Sequence, residues 1–461
     1  MEDFRTACTI GKAQKVKNLL DNSAFDPNFQ NSFGETPFFI ACRSQHYEVL
    51  EVLCNNQRVD VNKANQDGLT PLFLACQKGY ARIVELLLKC ERVDLSTRQT
   101  PLLIACEKGE IEIMKLLLND KRIDVNQYRC GQTSLSIACQ KGDIEVIKLL
   151  LNDERINVNK INYYGETSFY SACKLGNIEV VKLLLNDERT EVNKTNCLNK
   201  TSFFIACQQG YLEIVKLLLD DKRIDINKPN NNGETPFYIA CYFGLTEVVK
   251  LLLNNETIID INIARKNGET PLYSACEKGD IGIVRLLLND KRINVNKPNQ
   301  SGTTPIGVAC WYEGIEIVKL LLKDKRVNVN QRCWEDVTPI GIACFFGYID
   351  IVKHMLASER EINLNIKERN GNTAIDIARK KGKQEKMPRE TVEQYEKRKT
   401  NCPKIVELLE SFEINPSETI FKLRKQLGYP SKIYFSISFF FFFFQKIYKK
   451  SNSFFSSFFF K

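Results

Sequence analysis

The sequence predicts an all-α solenoid of about twelve helix-turn-helix repeats joined by short β-turn fingers. An alanine recurs every 30 to 35 residues, and a cysteine follows it in eleven of twelve copies. A Thr-Pro or Thr-Ser pair precedes most of these alanines, and a leucine-rich stretch follows them. Such periods are typical of solenoids, whose repeats bury their apolar faces against one another. The alanines are Ala7, Ala41, Ala75, Ala105, Ala138, Ala172, Ala206, Ala240, Ala275, Ala309, Ala343 and Ala378.

One copy of the repeat spans residues 233–256 and reads GETPFYIACYFGLTEVVKLLLNNE. Thr235 can cap the first N–H groups of a helix, and Pro236 suits the first turn. Gly244 is the residue type that ends a helix in the left-handed conformation. Apolar residues at helical spacing over 248–253 predict a second helix, and an asparagine-rich linker then leads to the next copy.

Composition argues against several classes of function. The net charge of +9 lies at the C-terminal end, because residues 1–418 carry 57 basic and 56 acidic side chains. A nucleic-acid binder needs a clustered basic surface, so we do not expect a nucleic-acid partner. The N-terminal residues MEDFRTACTIGK lack the apolar stretch of a signal peptide. We therefore expect a cytoplasmic protein, with a nuclear location as the alternative.

The 17 cysteines do not resemble a disulfide or metal framework. No two are closer than nine residues, so the chain has no CxxC pair. We interpret those that follow the repeated alanine as reduced thiols in the core. The two histidines, His46 and His354, occupy repeat positions and are interpreted as structural. With no phosphate-binding loop and no HExxH motif, we expect no catalysis, cofactor, metal site or small-molecule substrate.

The repeat resembles the ankyrin repeat, which begins with an Asn/Asp-rich turn and Gly-x-Thr-Pro-Leu-His. Two copies that carry the resemblance are DGLTPLFLACQKGYARIVELLL (67–88) and NGETPLYSACEKGDIGIVRLLL (267–288). The family's histidine is absent, so we expect apolar packing to replace the bond that it makes between repeats. The turn glycine is replaced by Asn199 and Asp336, which tolerate a positive φ better than most residues.

The resemblance also gives the domain boundaries. We predict an N-terminal capping repeat at 1–31, ten tandem repeats at 32–370 and a C-terminal repeat at 371–414. That last repeat carries a charged insertion near 383–403, predicted as an exposed loop or a short extra helix, and 415–430 is predicted as a linker or short helix. Four linker residues are missing between Leu95 and Thr100, which predicts a notch in the row of fingers near 94–100.

The segment 431–461 is a Phe/Ser/Lys low-complexity tail. Its longest apolar stretch, 433–444, is shorter than the roughly 20 residues that a membrane helix needs. We interpret the tail as disordered or as translated non-coding sequence. The alternative is a lipid-surface anchor, because phenylalanine flanked by lysine suits a membrane interface.

Ankyrin stacks bind proteins on a concave face, and the resemblance implies which positions vary there. These are the two residues before the turn glycine and the two after the Ala-Ala pair. In the N-terminal copies they are mostly polar, as in Gln77-Lys78 and Gln140-Lys141. Aromatic residues stand there elsewhere, and both tryptophans of the chain are among them. The predicted partner-binding residues are Trp311, Tyr312, Trp334, Phe345 and Phe346, with Tyr242, Phe243, Tyr163 and Tyr164.

These observations predict a monomeric, non-catalytic scaffold or adaptor that binds a protein partner on its concave face. Exposed Trp and Tyr residues are favoured anchors in protein interfaces. An alternative for the aromatic residues is an intramolecular lid formed by the C-terminal insertion or tail. Alternatives for the function are a membrane-associated adaptor anchored by the tail and a steric regulator of an enzyme. The polar N-terminal repeats serve as a spacer or as a second, charge-matched site.

Overall fold

The computed structural model describes residues 1–21, 25–95, 100–255, 259–388 and 390–430. The described residues form helix pairs and contain no β-strand; Arg129 and Gln132 make an isolated bridge in one finger. The chain divides into two compact units, Met1–Lys266 and a second unit that begins at Asn267. The predicted all-α repeat fold is confirmed. The Phe/Ser/Lys tail lies outside the described residues, and so does most of the predicted notch.

The first unit contains eight helix pairs in its described residues. The first helices of these pairs are α1 (Glu2–Thr9), α3 (Pro37–Arg43), α5 (Pro71–Lys78), α7 (Pro101–Lys108), α9 (Ser134–Lys141), α11 (Ser168–Leu175), α13 (Ser202–Gln209) and α15 (Pro236–Tyr242). The second helices are α2 (Ala13–Leu20), α4 (Tyr47–Cys54), α6 (Ala81–Lys89), α8 (Ile111–Asn119), α10 (Ile144–Leu151), α12 (Ile178–Asn186), α14 (Leu212–Leu219) and α16 (Thr246–Leu253).

The second unit contains four helix pairs and one further helix in its described part. The first helices are α17 (Pro271–Lys278), α19 (Pro305–Trp311), α21 (Pro339–Phe346) and α23 (Ala374–Lys383). The second helices are α18 (Ile281–Asn289), α20 (Ile315–Lys323), α22 (Ile349–Leu356) and α24 (Val392–Ile414), and α25 (Pro416–Gln426) follows. A single 3-10 turn, Trp334–Asp336, precedes α21.

Threonines cap most of the first helices as the sequence predicts. Thr201, for example, accepts a hydrogen bond from the backbone N–H of Phe204 at 3.1 Å. Thr100, whose side chain makes no such bond, is an exception. Helix α11 ends at Gly176, which has a φ of +79°. Asn199 and Asp336, which replace the turn glycine, have φ values of +58° and +64°. Short side chains thus adopt the left-handed conformation where the turn requires it.

Within each unit, the repeated Ala-Cys pairs lie in the core, where consecutive first helices pack against each other. Each of these alanines and cysteines is at most 2% exposed. Burial raises the pKa of the Cys8 and Cys106 thiols to about 12. The thiols therefore remain protonated at neutral pH and act as small apolar residues.

An asparagine joins each linker to the next in most of the stack. The Asn159 side chain donates to the carbonyl of Arg189 at 2.7 Å and accepts from the backbone N–H of Glu191 at 2.8 Å. Both bonds involve backbone N–H and C=O groups that lie outside regular secondary structure. Such groups need hydrogen-bond partners, and the asparagine side chain provides them. The same two bonds recur at Asn28, Asn62, Asn126, Asn193, Asn296 and Asn330.

The charged residues of the linkers contact the preceding repeat, in addition to the local ion pairs that the sequence suggests. The expected local ion pair forms between Asp153 and Arg155 at 2.6 Å, and it lowers the pKa of Asp153. Arg155 also donates to the carbonyl of Leu118, near the end of α8 in the preceding repeat, at 2.6 Å. Arginines in other linkers make the same contact, among them Arg92, Arg122, Arg189, Arg223 and Arg326. These side chains satisfy helix C-terminal carbonyls that would otherwise lack partners.

Apolar packing only partly replaces the family's histidine. Phe39 and Phe73 are buried at that position, as expected. At Tyr170 and Tyr273 the expectation was wrong, because a hydrogen bond between repeats remains. Their hydroxyl oxygens accept from the side chains of Asn196 and Asn299, respectively, each at 3.2 Å. Tyrosine keeps the polar atom that phenylalanine lacks.

The C-terminal insertion differs from the exposed loop or short extra helix that we expected. Its second half is helical and continues without a break into the second helix of the last repeat, so that Pro403 lies inside α24. Cys402 is fully buried on this helix. The Arg398 side chain is also fully buried and pairs with Glu390 at 2.7 Å. The insertion is therefore partly a core element.

Candidate functional site

Four of the predicted binding residues lie at the ends of two neighbouring first helices. Trp311 is the last residue of α19 and Tyr312 follows it, while Phe345 and Phe346 end α21. The small residues before them, such as Ala309 and Ala343, are buried between the helices. The aromatic side chains therefore come at the point where each helix leaves the core.

Trp334 belongs to the finger before α21, and its side chain lies beside these aromatic residues. It begins the 3-10 turn in which Glu335 and Asp336 have positive φ values. The indole rings of Trp334 and Trp311 lie edge to face, with centroids 5.5 Å apart. The two tryptophans of the chain thus contact each other across adjacent repeats.

These rings form one connected group. Trp311 contacts Phe346 with centroids 5.1 Å apart, and Phe346 contacts Phe345 at 4.9 Å. Phe346 also stacks on Tyr348 at 5.4 Å. We call Trp311, Trp334, Phe345, Phe346 and Tyr348 the aromatic cluster. Edge-to-face and offset rings at these distances attract one another beyond the area that they bury.

The cluster is partly open to solvent. Trp334 is 38% exposed and the adjacent Tyr312 is 57% exposed. Trp311, Phe345 and Phe346 are half-buried. Sequence reasoning missed Tyr348, which is buried; it follows Gly347 in the loop, outside the positions that vary in the family.

The last repeat and the insertion border the cluster with positive charge. The Lys381 ammonium on α23 lies 3.8 Å from the centre of the Phe345 ring. Lys397 on α24 lies over the Tyr348 ring at 5.6 Å and forms an ion pair with Glu313. Of these two contacts, only the one from Lys397 comes from the insertion that was predicted as a lid, and Tyr348 is not one of the predicted residues. The contacts fall on Phe345 and Tyr348, while Tyr312 and Trp334 remain exposed.

The other predicted residues belong to the first unit. Tyr242 and Phe243 contact each other with centroids 5.2 Å apart, and Phe243 is 50% exposed. Tyr163 and Tyr164, at a finger tip, are 71% and 67% exposed. The Tyr163 ring contacts that of Tyr128 in the preceding finger at 6.1 Å.

The two histidines make contacts that fit a structural role. His46 Nε2 lies 2.7 Å from the carbonyl oxygen of Thr9 in the preceding repeat. His354 Nδ1 lies 2.9 Å from the hydroxyl of Tyr429, which follows α25. Burial lowers the pKa of His354 and favours its neutral form.

Two other kinds of site, a metal site and a membrane span, are not found in the part of the chain that the structure describes. No group of three or more His, Cys, Asp or Glu side chains there is arranged to hold a metal ion. None of the helices described has the length and apolar composition that a membrane span requires.

A comparison with protein families agrees with the repeat pattern. A sequence model of three ankyrin repeats matches residues 4–99, 57–129, 102–196, 169–265 and 256–333. Among solved structures, the ankyrin repeat domain of Bcl-3, a member of the IkappaB protein family, matches with a TM-score of 0.46 and 23% identity. That match covers 49% of this chain and 99% of the Bcl-3 chain. No curated protein matches.

Proposed function

Because this chain belongs to the ankyrin repeat family, we propose that it is a non-catalytic scaffold or adaptor that binds another protein on its concave face. Stacked repeats of this kind present extended concave surfaces for binding. The aromatic cluster, together with Tyr312, is the proposed contact site. A steric effect on a bound enzyme is one result that such binding can have.

The observation that carries the proposal is the exposure of Trp334 and Tyr312 beside a connected group of rings. The binding energy of a protein interface is concentrated in a few residues, and Trp and Tyr are the most enriched among them. A single exposed aromatic residue has no such meaning, but a contiguous group is typical of an interaction site. The rings are also held by their mutual contacts, so little conformational freedom is lost when a partner binds.

The test is capture of partners from native lysate by the full-length chain, with mass spectrometry as the readout. The test variant carries Trp311→Gln and Tyr312→Lys, which give this repeat the polar residue types of the N-terminal repeats. The matched control carries Gln140→Ala and Lys141→Ala at the same two positions of a polar repeat. We expect a protein that the parent and the control retain and the test variant loses.

The loss should be large if these residues are anchors. A hot-spot residue contributes about 2 kcal/mol or more, which corresponds to roughly a 30-fold weaker affinity. If all three proteins capture the same set, the aromatic cluster is a packing feature between the last repeats and the insertion. Circular dichroism and thermal unfolding of each variant would show that the repeats remain folded.

A further inference from the structure

At the second and third positions after the repeated alanine, the residues change from aromatic to basic across the last three repeats. They are Trp311-Tyr312 in one repeat, Phe345-Phe346 in the next and Lys380-Lys381 in the last. The three first helices that carry them, α19, α21 and α23, pack side by side. Two aromatic repeats are therefore followed directly by a repeat with two lysines at the same positions.

The nearby cations differ in how far they are neutralised. Arg379 pairs with Asp376 and Glu410, Arg398 pairs with Glu390, and Lys397 pairs with Glu313. The Lys381 ammonium donates instead to uncharged acceptors, the Gln384 side-chain oxygen at 2.7 Å and the Met387 sulfur at 3.9 Å. Lys380 is exposed one residue away.

Lys381 lies in surroundings that are unfavourable to its charge. Burial lowers the pKa of Lys381, and the positive charges of Arg398 and Lys380 lower it further, outweighing the carboxylate of Glu390. A carboxylate brought to this point would compensate both the lost hydration and the repulsion. An attraction that is partly shielded from water is stronger than the same pair at a fully exposed surface.

We propose that the partner segment bound at the aromatic cluster carries an Asp or Glu beside its apolar anchor. The apolar side chain occupies the surface of Trp334, Tyr312 and Trp311, and the carboxylate pairs with Lys381 and Lys380. This inference rests on the proposed function and specifies the chemistry of the partner: an acidic, apolar protein segment.

The experiment selects peptides from a random display library that lacks tryptophan, with the full-length chain as bait. A counter-selection on the Trp311→Gln, Tyr312→Lys variant removes peptides that bind elsewhere. Binding of each enriched peptide is then measured by the change in tryptophan fluorescence. Because Trp311 and Trp334 are the two tryptophans of the chain, this signal comes from the aromatic cluster itself.

Two charge-reversal variants test the role of the lysines. Lys380→Glu changes an exposed side chain, so the packing of α23 is retained. Lys108→Glu, at an exposed position after the Ala-Cys pair of a polar repeat in the first unit, is the matched control. We expect the enriched peptides to be acidic, to bind at least about tenfold more weakly to the Lys380→Glu variant, and to bind the control unchanged. Their affinity should also fall with added salt.

The outcomes separate this inference from the proposed function. Peptides that depend on Trp311 but are neutral or basic, or that bind the Lys380→Glu variant equally well, overturn the inference and leave the aromatic contact site intact. If every peptide selected on the parent chain also binds the Trp311→Gln, Tyr312→Lys variant, so that none is left after the counter-selection, the proposed contact site and the inference both fail.

Discussion

The polar repeat that contains α9 and the aromatic repeat that contains α19 share a buried Ala-Cys pair but differ at their surfaces. Ala138-Cys139 and Ala309-Cys310 are equally buried, and Thr133 and Thr304 each accept a hydrogen bond from the backbone N–H three residues later. The next two residues are Gln140-Lys141 in the first case and Trp311-Tyr312 in the second. The fold therefore depends on residues that repeat, while the proposed contact site consists of residues that vary.

The last repeat contains a buried ion pair, whereas the polar repeats have no such pair in their described residues. Breaking this pair should give the largest effect on stability. We expect Arg398→Ala to destabilise the last repeat by about 3–5 kcal/mol, since it leaves Glu390 charged, buried and unpaired. Hydrogen exchange of the α23 and α24 amides measures the effect. In the control Arg398→Met with Glu390→Gln, no charge is left unpaired, and the loss should be smaller. Equal losses in the two variants would contradict this account.

Enlarging the repeated alanine should affect the two repeats alike. Ala138→Leu and Ala309→Leu each insert three carbons where the alanine is fully buried between first helices. Overpacking of this kind costs about 1–3 kcal/mol. Urea unfolding of the two variants compares them directly. If only one variant loses stability, the core around the repeated alanine is packed less tightly in the other repeat.

Removing a linker asparagine should cost somewhat less in either unit. Asn159→Ala and Asn330→Ala each remove two hydrogen bonds between neighbouring linkers. At about 1 kcal/mol per bond, we expect a loss of about 1–2 kcal/mol in thermal or urea unfolding. Asn186→Ala, at an exposed position at the end of α12, is the control and should change stability by less than about 0.5 kcal/mol. Equal effects at Asn159 and Asn186 would show that the linker bonds contribute nothing.

Changing the surface itself should have the smallest effect on folding. Tyr312→Lys replaces an exposed side chain, so stability should change by less than about 0.5 kcal/mol. The same change should weaken partner capture clearly. A large loss of stability would instead show that Tyr312 belongs to the core, which would remove the basis for treating it as a contact residue.

The sequence alone predicts the parts of the fold that depend on local rules. The threonine caps, the left-handed Asn199 and Asp336 and the burial of the Ala-Cys pairs each follow from the chemistry of a few neighbouring residues. These features recur, so one well-understood copy explains the others. The repeat register indicates that Trp311, Trp334, Phe345 and Phe346 lie in adjacent repeats, but it does not indicate which rings touch, since Trp311 contacts Phe346 and not the residue at the equal position.

The contacts between the C-terminal insertion and the residues around the aromatic cluster do not follow from such local rules. Residues 383–403 have no repeat register, and Pro403 is of a type that usually starts a helix rather than lying within one. The continuous helix α24 brings Lys397 to Glu313, 84 residues away in sequence. Contacts over such distances depend on packing, and no local pattern of charges indicates them.

The asparagine bonds between linkers also bear on how such a gene can change. Each bond joins one repeat to the next through the same side chain and the same main-chain atoms, about 30 residues apart. A duplicated or deleted repeat therefore meets its new neighbours with donors and acceptors already in place. Unequal recombination can lengthen or shorten the array in frame, and each new copy supplies two surface positions on which selection can act without disturbing the core.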